Sequence, residues 1–125
     1  MKVTAVSDAK LTVNRSRFFA RVFPARAVED AKVEVTAARG RVRKGRHHCW
    51  AVRILVDGRE EIQMRDDGEV GRPGAVLLEV LRRHDLEGGI VVSRVFGGVK
   101  LGTGGVSRAF RDAGEMAVEA LLGER

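Results

Sequence analysis

The stretch "VFGGVKLGTGGVSRAF", Val95 to Phe110, holds five glycines between Gly97 and Gly105. Glycines between an apolar strand and a helix can cradle an anion, because a helix N-terminus offers unpaired N–H groups and partial positive charge. Lys100 and Arg108 would add charge beside Gly104 and Gly105. The spacing is not that of a nucleotide loop, since no Gly-Lys-Ser/Thr follows, nor that of a dinucleotide fingerprint. Two readings stand: an anion site, or glycines that serve backbone geometry alone. A second group is His47-His48-Cys49. Cysteine beside histidine can form a nucleophile pair, whereas a lone cysteine is otherwise a small buried hydrophobe. On a strand His47 and Cys49 face one way, and His48 and Trp50 the other. A third is Asp66, Asp67 and Glu69 around Gly68, which either holds Mg²⁺ through oxygens or braces a turn. It is not an EF-hand loop. The fourth is "RGRVRKGR", Arg39 to Arg46, in which Arg41, Arg43, Lys44 and Arg46 could neutralise phosphates. Phe18, Phe19 and Trp50 are the nearby aromatics that could stack on bases.

The elements that must position these groups follow from periodicity. Lys10–Phe23 reads as one strand, with room for a bulge, running up to Pro24. Val28, Ala31, Val35 and Ala38 form a helical stripe in Ala25–Gly40, with Gly40 as its stop. His47–Val56 and Arg59–Arg65 read as strands joined by the hairpin signal Asp57-Gly58. Asp66–Ala75 is an acidic, glycine-rich loop. Ala75–Gly89 carries a helix with Val76, Leu77, Val80, Leu81 and Leu86 on its apolar face. Ile90–Phe96 is a buried strand. Val106–Leu122 is the last helix, with Val106, Phe110, Ala113, Ala117 and Leu121 on one face. The order β-α-β-β-α-β-α predicts an α+β domain, a two-layer sandwich with its helices on one face of a mixed or antiparallel sheet.

With 125 residues, the expectation is a single domain over 1–125. No apolar run is long enough for a membrane helix, and the N-terminus lacks a secretory h-region, so a cytoplasmic protein with no membrane partner is expected. One cysteine excludes an internal disulfide and a multi-cysteine zinc site. The net charge of +6 is uneven. Residues 1–55 carry 13 Lys+Arg against 4 Asp+Glu, and residues 56–125 carry 10 against 13. Such asymmetry points to an anionic partner for the first half, or to an arginine-rich solubilising surface. Arg outnumbers Lys 18 to 5, and Asn14 and Gln63 are the sole amides; this fits a thermophile or a GC-rich genome.

Taken in order, "RSRFFA" (Arg15–Ala20), "HHCWAVRI" (His47–Ile54), "DDGEVGRPGAVLLEVL" (Asp66–Leu81) and "SRVFGGVKLGTGGVSRAF" (Ser93–Phe110) resemble the four blocks of the YigZ/IMPACT family. The resemblance spans about residues 11–122. It falls on His47, Cys49, Asp66, Asp67, Gly68, Glu69, Gly97, Gly98, Lys100, Leu101, Gly102, Gly104, Gly105, Arg108 and Ala109. Departures are Val70 for a family proline, Arg72–Ala75 where Gly-Thr-Ala-Gly is usual, Val95 for an aromatic and Phe110 for a tyrosine. The resemblance implies a ribosomal protein S-five domain 2-like fold, related to domain IV of elongation factor G, with a left-handed βαβ crossover. It also implies that this chain, ending at Arg125, has neither the ferredoxin-like domain of bacterial relatives nor the N-terminal partner-binding domain of eukaryotic ones. The resemblance further implies a link to translation, since eukaryotic IMPACT is similar to a translational regulator that restrains a starvation-activated initiation-factor kinase by competing for its activator.

The function expected is a non-enzymatic module that binds RNA or the ribosome and acts in translation. Arg15, Arg17, Arg41, Arg43, Lys44, Arg46, Lys100 and Arg108 are the candidate phosphate contacts, with Gly104 and Gly105 at the anion-binding helix start. No catalytic residue, cofactor or metal is assigned. The alternatives are a regulator that works through a protein partner, and an enzyme acting on a phosphorylated ligand in the cleft between the acidic loop and the glycine loop, with His47, Asp67 and Lys100 as participants.

Overall fold

The computed structural model describes residues 1–123. Its elements are β1 (Ser7–Val13), β2 (Ser16–Phe23), a 3-10 turn (Val28–Asp30), α1 (Ala31–Arg41), β3 (His47–Val56), β4 (Arg59–Arg65), α2 (Pro73–Arg83), β5 (Gly88–Val95) and α3 (Gly102–Leu122). The strands form one sheet in the order β1-β2-β5-β3-β4, antiparallel throughout. β2 and β3 both run antiparallel to β5, so they are parallel to each other, and α1 makes the crossover between them. The α+β class is as expected.

Besides α2 ending at Arg83, short of Leu86, and α3 beginning at Gly102 rather than Val106, three details differ from the periodicity reading. The single strand expected over Lys10–Phe23 is a hairpin. Val13 pairs with Ser16, leaving Asn14-Arg15 as a two-residue turn with φ of 46° and 72°. Positive φ at both positions is the type I′ geometry that matches strand twist, and it is usually signalled by glycine, absent here. Asp57-Gly58, with φ of 53° and 76°, makes the same turn between β3 and β4 with the usual residues. Second, Gly40 lies inside α1, which runs to Arg41. Third, the helices do not all lie on one face. α2 and α3 pack Leu77, Leu81, Phe110 and Ala117 against Phe18, Ala20, Cys49, Ala51, Ile90 and Val92. α1 packs Ala31, Val35 and Ala38 against Phe23, Val52, Ile54 and Val91, on the opposite face. The two-layer expectation is thus corrected to a sheet with a pair of helices on one side and a single helix on the other. Side-chain alternation in β3 and β5 supplies both faces.

The larger core is anchored by Phe18 and Phe110, both fully buried, with ring centroids 5.2 Å apart in an edge-to-face contact. Burying each such side chain stabilises the fold by about 1.5–3 kcal/mol. Among the described residues no helix is long and apolar enough to cross a membrane.

Candidate functional site

α1 sits on β3 and β5, with Phe23 at the end of β2. The β1–β2 part of the same face is left open. Its outward side chains follow from the hairpin register: Asp8 and Lys10 on β1 stand opposite Arg21 and Phe19 on β2, with Arg17 two residues before Phe19. Across β2 lie Ser93 and Val95 of β5. The end of α1 and the loop that follows close the other side, bringing Arg41, Val42, Arg43 and Lys44 over the sheet. The result is a groove of about 750 Å³.

Six cationic side chains line it: Lys10, Arg17, Arg21, Arg41, Arg43 and Lys44. Asp8 is the one acidic lining residue, and Arg21 grips both its oxygens at 2.6 and 2.8 Å. That bidentate contact holds the Asp8 carboxyl below its ordinary pKa, and the Arg21 guanidinium is correspondingly stabilised as a cation. Lys10 Nζ and Arg17 Cζ lie 5.6 and 5.9 Å from the Phe19 ring centre. His48 holds the loop to the sheet. Its ring is buried, with Nδ1 2.7 Å from Ser93 Oγ and Nε2 3.2 Å from the Gly45 carbonyl oxygen. Since the carbonyl can only accept, Nε2 carries the proton and Nδ1 accepts from the Ser93 hydroxyl. Burial, reinforced by the nearby Arg39 charge, lowers the His48 pKa and favours this neutral form.

The opposite face holds a second polar constellation, beneath the glycine segment. Arg94 and Glu69 are nearly inaccessible and pair at 3.1 Å. Arg94 also reaches Ser16 Oγ at 3.4 Å and lies over the rings of Phe18 and Phe96. Ser16 Oγ accepts the Gly97 N–H at 3.1 Å. Gly97 touches the Arg15–Ser16 backbone so closely that a Cβ there would collide with the Arg15 carbonyl carbon. The acidic turn is braced in the same way. The Asp66 carboxylate accepts the Gly74 N–H at 2.8 Å, and the Asp67 carboxylate accepts the His48 N–H at 2.8 Å, with Arg39 at 3.4 Å. His47 Nδ1 lies 2.9 Å from the Asp67 carbonyl oxygen and its Nε2 3.9 Å from Glu69. Cys49 is buried and donates to the Asp66 carbonyl, and burial raises its thiol pKa far out of the reactive range.

The structure therefore divides the residues singled out in the sequence. Arg17, Arg41, Arg43 and Lys44 converge on the groove. Arg15 and Arg46 do not line it. Arg108 and Gly105 border a separate hollow of about 210 Å³ with Val13, Asn14, Leu101, Ala109 and Asp112. Gly102, Gly104 and Gly105 belong to the first turn of α3 rather than to a loop. Lys100 is exposed, and Gly98, at φ 87°, turns in open space. His47, Cys49, Asp66, Asp67 and Glu69 do come together, but their polar atoms are occupied in bracing the turn. Sequence reasoning missed Lys10 and Arg21 in the groove, and Arg94. Arg94 had a signal, since a charge inside the apolar run Ile90–Phe96 requires a buried partner.

Residues 14–118 match the family model of the Impact N-terminal domain. A protein of Thermus thermophilus described as an IMPACT family member in the pol 5′ region is 38% identical over 110 residues, covering 87% of this chain and 56% of its own length. A crystal structure described as that of a hypothetical protein superposes with a TM-score of 0.83 at 31% identity, over 93% of this chain and 58% of that one. The two-domain translational regulator Yih1 superposes at 0.56 with 27% identity, over 94% of this chain and 45% of its own. The chain spans 50–60% of the length of the four curated relatives it matches.

Proposed function

Because this chain belongs to the IMPACT family and carries its N-terminal domain, we propose that it is a translation-linked regulator that binds RNA, free or ribosomal, in the groove between the β1–β2 hairpin and the Val42–Lys44 loop. The observation that carries this reading is the charge of the groove: six cations against one carboxylate, and that carboxylate already gripped by Arg21. Such a lining favours a polyanion and gives affinity without sequence readout. The chain's net charge of +6 adds long-range attraction of the same sign. The link to translation rests on the family and on the likeness to Yih1, which is described as a translational regulator.

The test is a fluorescence-anisotropy titration of the purified chain against structured and single-stranded RNA at 50 and 200 mM salt. Micromolar binding that weakens steeply with salt supports the proposal; flat or absent binding overturns it. A pull-down from nuclease-treated host lysate distinguishes a purely protein-directed regulator. Partners retained after nuclease, with no RNA affinity in the titration, would replace the RNA reading by that one.

A further inference from the structure

We propose that the groove selects single-stranded over duplex RNA, by laying an unpaired base against Phe19 while flanking cations hold the adjoining phosphates; this rests on the RNA-binding reading above. Phe19 and Phe18 are neighbours on β2 with opposite fates. Phe18 is wholly buried in the main core, whereas Phe19 is only partly buried on the open face and belongs to neither core cluster. Phe19 is the one aromatic residue lining the groove. The fold thus leaves a large apolar ring partly open to a cationic groove, flanked by Lys10 and Arg17 and outside both core clusters. A ring in that setting is a stacking platform, because every base has a π-face and every nucleotide brings a phosphate with it.

The arrangement of charge fits a strand rather than a cylinder. Lys10 and Arg17 stand on the sheet beside the ring, and Arg41, Arg43 and Lys44 come from the facing rim. Phosphates on either side of a base stacked on Phe19 would meet cations from both rims. In a duplex the bases are stacked on one another and are unavailable to the ring. A duplex would touch only the rim charges.

Neither amide of the chain, Asn14 nor Gln63, lines the groove, so adenine edges are not read there by paired amide hydrogen bonds. The lining arginines are the groups able to pair with guanine.

The experiment measures anisotropy of a labelled mixed-sequence RNA 12-mer, alone and annealed to its complement, at one salt concentration. Wild type is expected to bind the single strand at least about tenfold more tightly than the duplex. Phe19→Ala and Phe19→Leu should each weaken single-strand binding about 5- to 150-fold, the range for one stacked base, and Phe19→Tyr should preserve it. Leu keeps apolar bulk without the ring, so its loss would not report misfolding, and thermal melts of each variant check the fold. Equal affinity for strand and duplex, or Phe19→Leu binding like wild type, overturns the single-strand inference while leaving RNA binding in place. Absence of any RNA binding by wild type overturns both. Displacement of the strand by polyglutamate as effectively as by unlabelled RNA overturns the base-stacking claim in favour of an acidic protein segment.

Discussion

Neutralising the rim of the groove should change the salt dependence of RNA binding by a calculable amount. Of the six lining cations, Arg21 is balanced by Asp8, leaving five free. If each meets one phosphate, log K falls with log salt at about −0.7 per contact for a single strand, a slope of about −3.5. Raising salt from 50 to 200 mM then weakens wild-type binding about 130-fold. The double substitution Arg43→Ala with Lys44→Ala leaves three contacts, so the same salt step costs only about 20-fold. Both side chains are exposed, so stability should move by no more than about 0.5 kcal/mol. Asp8→Asn works in the opposite sense. It frees the Arg21 guanidinium, adds a sixth contact, tightens binding at low salt and steepens the loss to about 340-fold. Removing that exposed ion pair should cost about 0.2–1 kcal/mol of stability. The assay is anisotropy over a salt series for the three proteins, with slopes fitted to the same range. If wild type binds with a steep slope that neither change alters, the phosphate contacts lie outside the groove and the assignment of these residues is wrong. Lys100→Ala with Arg108→Ala is the matched control, expected to leave the slope as it is.

Four further outcomes follow from the packing. Glu69→Ala strands the buried Arg94 guanidinium and should destabilise the fold by about 3–5 kcal/mol in urea titration, whereas replacing both partners, Glu69→Leu with Arg94→Met, should recover most of that loss. Gly97→Ala should cost at least about 1–3 kcal/mol through collision with the Arg15–Ser16 backbone. Gly104→Ala, with open space around it inside α3, should raise stability by about 0.5–1 kcal/mol; a loss of RNA affinity in Gly104→Ala would restore the anion-site reading of the glycines. His48 has a folded pKa depressed below 6.5, so it contributes stability that is present above pH 6.5 and lost as pH falls through its folded value. His48→Gln should flatten that part of the thermal-stability profile; an unchanged slope between pH 7 and 5 would place the effect elsewhere.

Much of the fold was legible because its elements carry strong periodic signals. Leu77, Val80 and Leu81 mark the buried stripe of α2, and Val106, Phe110, Ala113 and Ala117 that of α3. The β1–β2 hairpin was not legible, because Asn14-Arg15 adopts a glycine-favoured turn without glycine. Here strand pairing overrides local preference. The stripe Ala31, Val35, Ala38 showed that α1 buries one side, but a helix stripe carries no information about which face of a sheet receives it. That is why the open half of the sheet could not be foreseen. The basic character of Arg17, Arg41, Arg43 and Lys44 was readable from composition, while Lys10 and Arg21 joined them only through the register of the hairpin. The sequence left the acidic turn open between metal ligation and bracing, because carboxylate spacing serves either; the hydrogen bonds of Asp66 and Asp67 to the Gly74 and His48 N–H groups are visible only in the fold.

Arg94 has a consequence for motion. Its guanidinium pairs with Glu69 in the turn after β4, contacts Ser16 at the start of β2, and lies under Phe96 at the start of the glycine segment. Three segments distant in sequence thus share one buried charge. None can open without exposing an unpaired ion to the interior or drawing the others with it. The amides of the acidic turn, the β1–β2 turn and the glycine segment are therefore bound into one cooperative exchange unit, opening together at a common free energy rather than as three independent loops.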